Sequence, residues 1–146
     1  MQIRKMMIDD IEGVEEIEQS SFGDEAWSAT GFLTYLIRDD TLFLVAAEGE
    51  DVVGYAGLLM APEEGDILNI AVHQDRRHQG IGKALLEEMA KEAPEYGVTV
   101  LHLEVRKSNE HAIALYTQEG FVQNGIRKDY YTRPLEDAIT MTRRMK

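Results

Sequence analysis

Two hydrophobic periods alternate along the chain, and their order predicts the elements. QIRKM reads as a short strand. Ile11, Val14 and Ile17 then recur at helical spacing, with Asp9 and Asp10 placed to cap the helix that carries them. A second helix is predicted from Trp27-Ser28, with Ser28 as cap and Phe32, Leu33 and Leu36 as its inner face, until Asp39-Asp40 breaks it. TLFLVAAE and VVGYAGLLM read as strands joined by the turn GED, APEEGD as a loop, and ILNIAV as another strand. Ile81, Leu85, Met89 and Ala93 recur every four residues, in a helix ended by Pro94 and Gly97. In VTVLHLEV, Leu101, Leu103 and Val105 share one face, with His102 and Glu104 on the other. SNEHAIALYTQEG is predicted helical, capped by Ser108 or Asn109 and stopped at Gly120. FVQNGIR and EDAITMTRR are the closing strands, with DYYTRPL between them. The order β-α-α-β-β-β-α-β-α-β-β predicts an α/β single domain over residues 1–146 with a mixed sheet.

Charge changes the picture more than composition does. The chain has 15 Lys+Arg against 27 Asp+Glu, a net charge of −12, which argues against sequence-independent binding of nucleic acid. Such a surface attracts a basic peptide or polyamine, or simply keeps the protein soluble. With no cysteine, thiolate zinc sites, disulfides and a cysteine nucleophile are excluded. The four histidines, His73, His78, His102 and His111, show no HExxH or similar spacing, so no metal site is expected. The N-terminus has no apolar signal core, and the longest apolar run, residues 52–61, falls short of the roughly 20 residues a membrane span needs. No membrane contact and a cytoplasmic location are the expectation.

The candidate chemistry starts at RRHQGIGKALL, residues 76–86, a basic glycine-bearing stretch between a buried strand and a helix. A helix start offers free N–H groups and roughly half a positive charge, and glycines let an anion approach the backbone. A Walker A loop would need glycine at Arg77 and a hydroxyl at Ala84, and a dinucleotide fingerprint would need glycine at Leu85. Neither fits. The alternative of an ordinary turning loop stays open on the residues alone. Glu104 at a strand end can accept a proton or merely pair with Arg106 as a surface carboxylate. His102 is a rival base on the same face. Tyr116 can donate a proton or pack as a core aromatic.

Arg77-His78-Gln79-Gly80-Ile81-Gly82 follows the pattern Arg/Gln-x-x-Gly-x-Gly and resembles the pyrophosphate loop of the GNAT superfamily of N-acetyltransferases. LEVRKSNEHAIALYTQEGF, residues 103–121, is similar to that superfamily's pantetheine-contacting and catalytic region. RKDYYTRPLEDAITM, residues 127–141, resembles one branch, the ribosomal-protein-alanine N-acetyltransferases. A departure is Ala26, where that branch has proline before the tryptophan.

The resemblance implies a GNAT fold, with a mixed, mostly antiparallel central sheet flanked by helices. It implies acetyl-coenzyme A as cosubstrate, held by Arg77, His78, Gln79, Gly80, Ile81, Gly82 and Lys83, with Asn109 on the pantetheine arm or serving only as a helix cap. The backbone of Ile70, Ala71 and Val72 would pair with that arm as an added strand and polarise the thioester carbonyl. Glu104 matches the family's proton acceptor and Tyr116 its proton donor, for direct transfer without an acyl-enzyme. Trp27, Tyr130 and Tyr131 match peptide-side residues, although the tyrosines also read as a strand-end aromatic pair.

The implied acceptor is the N-terminal alanine of a small-subunit ribosomal protein. At pH 7 the neutral amine costs about 1 kcal/mol for an α-amine and about 4.6 for a lysine, so a carboxylate working through water suits the former. A lysine, polyamine or small-molecule amine as acceptor, and a non-catalytic coenzyme A sensor, are the alternatives.

Overall fold

The computed structural model describes residues 1–145. Its strands are β1 (Gln2–Lys5), β2 (Thr41–Glu48), β3 (Asp51–Ala61), β4 (Glu64–Val72), β5 (Val100–Arg106), β6 (Val122–Thr132) and β7 (Leu135–Arg144). The helices are α1 (Ile11–Phe22), α2 (Ala29–Leu36), α3 (Ile81–Glu92) and α4 (Glu110–Gln118). Element order follows the periodicity. All seven strands form one sheet in the order β1-β2-β3-β4-β5-β7-β6, antiparallel except where β4 meets β5. Among the described residues no helix is long and apolar enough to cross a membrane.

Each face of the sheet has its own core. The stripe Ile81, Leu85, Met89 packs α3 onto Leu44, Leu58, Leu101 and Leu103, and Tyr116 of α4 joins the same cluster. On the other face Ile11, Val14 and Ile17 of α1 and Phe32 of α2 cover Phe43, Val45 and Tyr55. Gly57 permits this packing, because a Cβ there would lie 2.3 Å from Phe43.

Several local expectations need correction. APEEGD is a tight hairpin rather than a loop, since β3 runs to Ala61 and β4 starts at Glu64. The neighbouring strands decide this by pairing with polar residues that would otherwise read as a turn. Tyr130 and Tyr131 likewise belong to β6, and the turn reduces to Arg133-Pro134. Leu33 is exposed, leaving Phe32 as the buried residue of α2. Asp10 does not cap α1 with its side chain. Its carboxylate accepts a forked pair from Arg4 at 2.7 and 2.9 Å and the Met7 N–H at 2.7 Å. A charge-assisted fork outcompetes a single capping bond. Ser28 and Asn109 do cap their helices, accepting from the N–H groups of Gly31 and Ala112.

One interruption of the sheet matters most. β4 and β5 pair only from Glu64 to Asp66 against Val100 to His102. Beyond that rung the strands share no ladder, so residues 67–72 and 103–106 face an opening with backbone groups that neither strand satisfies for the other.

Candidate active site

The opening between β4 and β5 is bounded at one end by the start of α3. Gly80 precedes that helix with φ 82, a left-handed conformation that glycine adopts without penalty, and His78 before it has φ 63. The first intrahelical bond is donated by Ala84 to Gly80, so Gly80, Ile81, Gly82 and Lys83 keep N–H groups with no partner in the helix. Gly82 is closely packed: a Cβ there would lie 3.3 Å from Leu115 and 3.9 Å from Val72. The glycine thus lets the helix start approach both β4 and α4. The residues fit an anion cradle built from backbone donors.

The side chains of the loop take varied places. Arg77 folds back, donating to the Val72 carbonyl at 3.2 Å and to Ser21 Oγ at 3.4 Å. Gln79 accepts from Arg76, which also pairs with Glu48. The His78 ring lies 4.9 Å from that of His111, joining the loop to α4. Lys83 lines an outer groove with Lys91 and Arg143, between α3 and the end of α4. The Ile81 side chain belongs to the core, leaving its backbone for a ligand.

Across the opening, strand alternation puts the two proton-transfer candidates on opposite faces. Leu103 and Val105 turn towards α3 and α4, where Tyr116 packs edge-on to Phe121 at 6.0 Å. Tyr116 is 7% exposed, and burial, reinforced by the nearby Tyr131, raises its pKa above the ordinary tyrosine value. Glu104 turns the other way. It lines a groove of about 390 Å³ with Asp66, His102, Arg127 and Thr140. It does not pair with Arg106, its expected surface partner; the cation near it is Arg127, at 3.7 Å. His102 is engaged elsewhere, 2.6 Å from Glu64 through Nε2 and 2.8 Å from Thr142 through Nδ1.

On the Glu104 face, Arg106 gathers the walls. It donates to Glu25 at 2.7 Å, to Glu136 at 3.2 Å and to the carbonyls of Arg133 and Pro134, and lies 4.3 Å over the Tyr131 ring. Burial opposes its charge, but Glu25 and Glu136 hold its pKa above the usual value. The α1–α2 connection is thereby fixed to the β6–β7 hairpin, where Tyr130 and Tyr131 meet at 5.1 Å. Burial, then Tyr130, pushes Tyr131 up to about 12. Trp27 stacks on Tyr35 at 4.7 Å and 13°. Ala26 before it has φ −71, a value proline shares, so the departure from the branch pattern leaves the local path proline-like.

A buried polar cluster lies beneath Trp27 that sequence reading missed. Glu18 is 1% exposed and accepts from the Trp27 N–H at 2.8 Å, from Asn69 Nδ2 at 3.1 and 3.3 Å, and from the Tyr55 hydroxyl. A signal existed. Glu18 stands four residues after Val14 and seven after Ile11, inside the apolar stripe, and Asn69 interrupts the apolar run ILNIAV.

A splayed parallel strand pair beside a glycine-led helix start, with Glu104 on one face of the sheet and Tyr116 on the other, is the geometry of the candidate site. The chain belongs to the acetyltransferase (GNAT) family, whose model matches residues 8–121; it is an enzyme of the acetyl-coenzyme A-dependent N-acetyltransferases. A candidate [ribosomal protein bS18]-alanine N-acetyltransferase of Bacillus subtilis (strain 168) is 36% identical over 140 residues, covering 95% of this chain and 92% of that one. The crystal structure of the ribosomal-protein-S18-alanine N-acetyltransferase from Escherichia coli superposes with a TM-score of 0.89 at 34% identity, over 99% of this chain and 94% of that one. An aminoglycoside 6'-N-acetyltransferase complexed with coenzyme A shares the fold alone, with a TM-score of 0.88 at 14% identity, over 100% of this chain and 98% of that one.

Proposed function

We propose that this enzyme acetylates the N-terminal alanine of a small-subunit ribosomal protein, in the cytoplasm and as one domain over residues 1–146. The observation that carries the reading is the β4–β5 opening, with Glu104 on one face, Tyr116 on the other and the α3 start at its end. Relatives with the similarities given above are described as alanine N-acetyltransferases of ribosomal protein S18.

Acetyl-coenzyme A would supply the activated acetyl group as a thioester. The N–H groups of Gly80, Ile81, Gly82 and Lys83 would hold its pyrophosphate. The free edge of Ile70, Ala71 and Val72 would take the pantetheine arm, with a backbone N–H there polarising the carbonyl. Asn109 Oδ1 is occupied by its cap, so only the Nδ2 donor of that side chain is offered to the arm. The α-amine enters from the Glu104 face, between Trp27 and Tyr130–Tyr131. Its nitrogen bonds to the carbonyl carbon as the C–S bond breaks; Glu104 takes the amine proton and Tyr116 donates towards the departing sulfur.

The test is incubation with acetyl-coenzyme A and a panel of peptides, read by mass spectrometry with site mapping. Acetate on the α-amine of an alanine-initiated ribosomal peptide is expected. Acetate only on lysine side chains, or on an α-blocked peptide as readily as on the free one, would move the reading to a lysine or small-amine acceptor. Binding of acetyl-coenzyme A with turnover on no amine would leave a sensor.

Arg106 offers a sharper check on the acceptor side. Arg106→Gln frees the α1–α2 connection from the hairpin, and is expected to raise the peptide KM about tenfold, about 1.4 kcal/mol, with acetyl-coenzyme A affinity unchanged. Arg106→Lys keeps the charge but not the fork, and should recover only part of the loss. Equal loss of affinity for both substrates would mean that Arg106 does not act on the acceptor walls.

A further inference from the structure

A neutral primary amine about to attack a carbonyl has two N–H groups, and the mechanism above engages one of them at Glu104. The other, carried out of water without a partner, is a penalty on binding. The groove that holds Glu104 supplies a second acceptor. Glu104, Thr140 and Gly125 lie on one rung across β5, β7 and β6, and all three line that groove. Residues directly opposite on an antiparallel pair hold their Cβ atoms about 4.5–5.5 Å apart, close enough for one nitrogen to reach both side chains. Beyond Thr140 the floor is open, because a Cβ at Gly125 would lie 2.9 Å from Thr140 Oγ1. Glycine weakens a strand interior and often marks a place where a ligand comes close. Here it leaves the hydroxyl uncovered.

A chain of hydrogen bonds fixes what that hydroxyl can do. β6 slips against β7 so that Gln123 faces Met141 while Gly125 faces Thr140, leaving Asn124 as an extra residue that lines the groove. Asn124 Nδ2 donates to Thr142 Oγ1 at 2.7 Å, and its Oδ1 accepts the Thr140 hydroxyl at 2.9 Å. Thr142 Oγ1 lies 2.8 Å from His102 Nδ1, and His102 Nε2 lies 2.6 Å from Glu64. The carboxylate sets the direction. It can only accept, so Nε2 donates to it, and Nδ1 of the neutral ring accepts from Thr142. Thr142 then takes the Asn124 amide proton, and the Asn124 carbonyl takes the Thr140 proton. Thr140 Oγ1 keeps its lone pairs, and no donor reaches them among the described residues.

We infer that Thr140 Oγ1 binds the substrate, accepting one N–H of the incoming primary amine while Glu104 takes the other, and that the Glu64–His102–Thr142–Asn124 chain orients it. The inference rests on the proposed acetyl transfer to an amine. Two acceptors on one rung hold the nitrogen at two points and leave its own lone pair to be aimed across the opening. A network that merely satisfied surface side chains would not need a glycine opposite the hydroxyl.

The experiment compares the full chain as wild type, Thr140→Val and Thr140→Ser. Valine keeps the shape and the strand preference but not the oxygen, and serine keeps the oxygen. The ligands are the alanine-initiated ribosomal peptide and its desamino analogue, in which hydrogen replaces the α-amine. Thr140→Val is expected to lower kcat/KM for the peptide about tenfold, while the inhibition constant of the desamino analogue stays within about twofold. The acetyl-coenzyme A Kd and the melting temperature should stay close to wild type. Thr140→Ser should recover most of the loss.

Unchanged kcat/KM in Thr140→Val overturns the inference. So does an equal weakening of the peptide and its desamino analogue, which would place the effect in the shape of the groove and not at the amine. Wild-type turnover on the alanine peptide tests the substrate reading separately. If the wild type acetylates a different primary amine, the same comparison is made with that amine and its desamino counterpart. Turnover on no amine overturns the inference together with that reading.

Discussion

Glu104→Gln is expected to lower kcat by about 10²- to 10⁴-fold, the usual contribution of a positioned general base. Glutamine keeps the size and the hydrogen-bonding capacity of the side chain but cannot take a proton. The affinity for acetyl-coenzyme A should be unchanged, because Glu104 faces the α1 side of the opening while the anion cradle lies at the start of α3. The deficit should shrink as pH rises past about 7.8, where an α-amine is mostly neutral without help. Steady-state rates over a pH series, with cofactor titration by calorimetry, check both halves. A wild-type rate would remove Glu104 from the mechanism. His102 would be a poor replacement, since Glu64 and Thr142 engage both of its ring nitrogens.

Tyr116→Phe is the second large effect, about 10²-fold in kcat, comparable to losing one donor to a developing charge. Burial and Tyr131 raise the Tyr116 pKa above its ordinary value near 10, while a thiol lies near 8.5. Complete proton transfer from the phenol to the departing sulfur is therefore uphill by at least about 2 kcal/mol. The hydroxyl works chiefly as a hydrogen-bond donor while the C–S bond breaks. The sign for pH follows: a raised pKa keeps the phenol protonated throughout the assay range. The wild-type kcat profile should then show no falling limb from Tyr116 below about pH 10. A limb near pH 9 that vanishes in Tyr116→Phe would contradict this account.

Much of the architecture was legible in the chain because one-dimensional spacing encodes burial. The stripe Ile81, Leu85, Met89, Ala93 marks a buried helix face wherever the helix docks, and all four residues are buried. The helix caps Ser28 and Asn109 were legible for the same local reason. APEEGD was not, because its strand character comes from partners on both sides rather than from its own residues. The fates of Glu104 and Arg106 also lay outside local spacing. Two residues apart on one face, they suggest a pair, but two distant carboxylates, Glu25 and Glu136, take the arginine fork.

By itself the sequence determined the order of elements, the glycine-led helix start, and the opposed faces of β5, since each depends on residues within a few positions of one another. Only the tertiary structure decided that β4 and β5 part after Asp66 and His102, that Tyr116 packs in the core cluster with Leu103 and Val105, on the sheet face opposite Glu104, and that Glu18 reaches Tyr55, Asn69 and Trp27. Those are meetings between residues tens of positions apart. They depend on how two packed cores settle on one twisted sheet, and no local period records that.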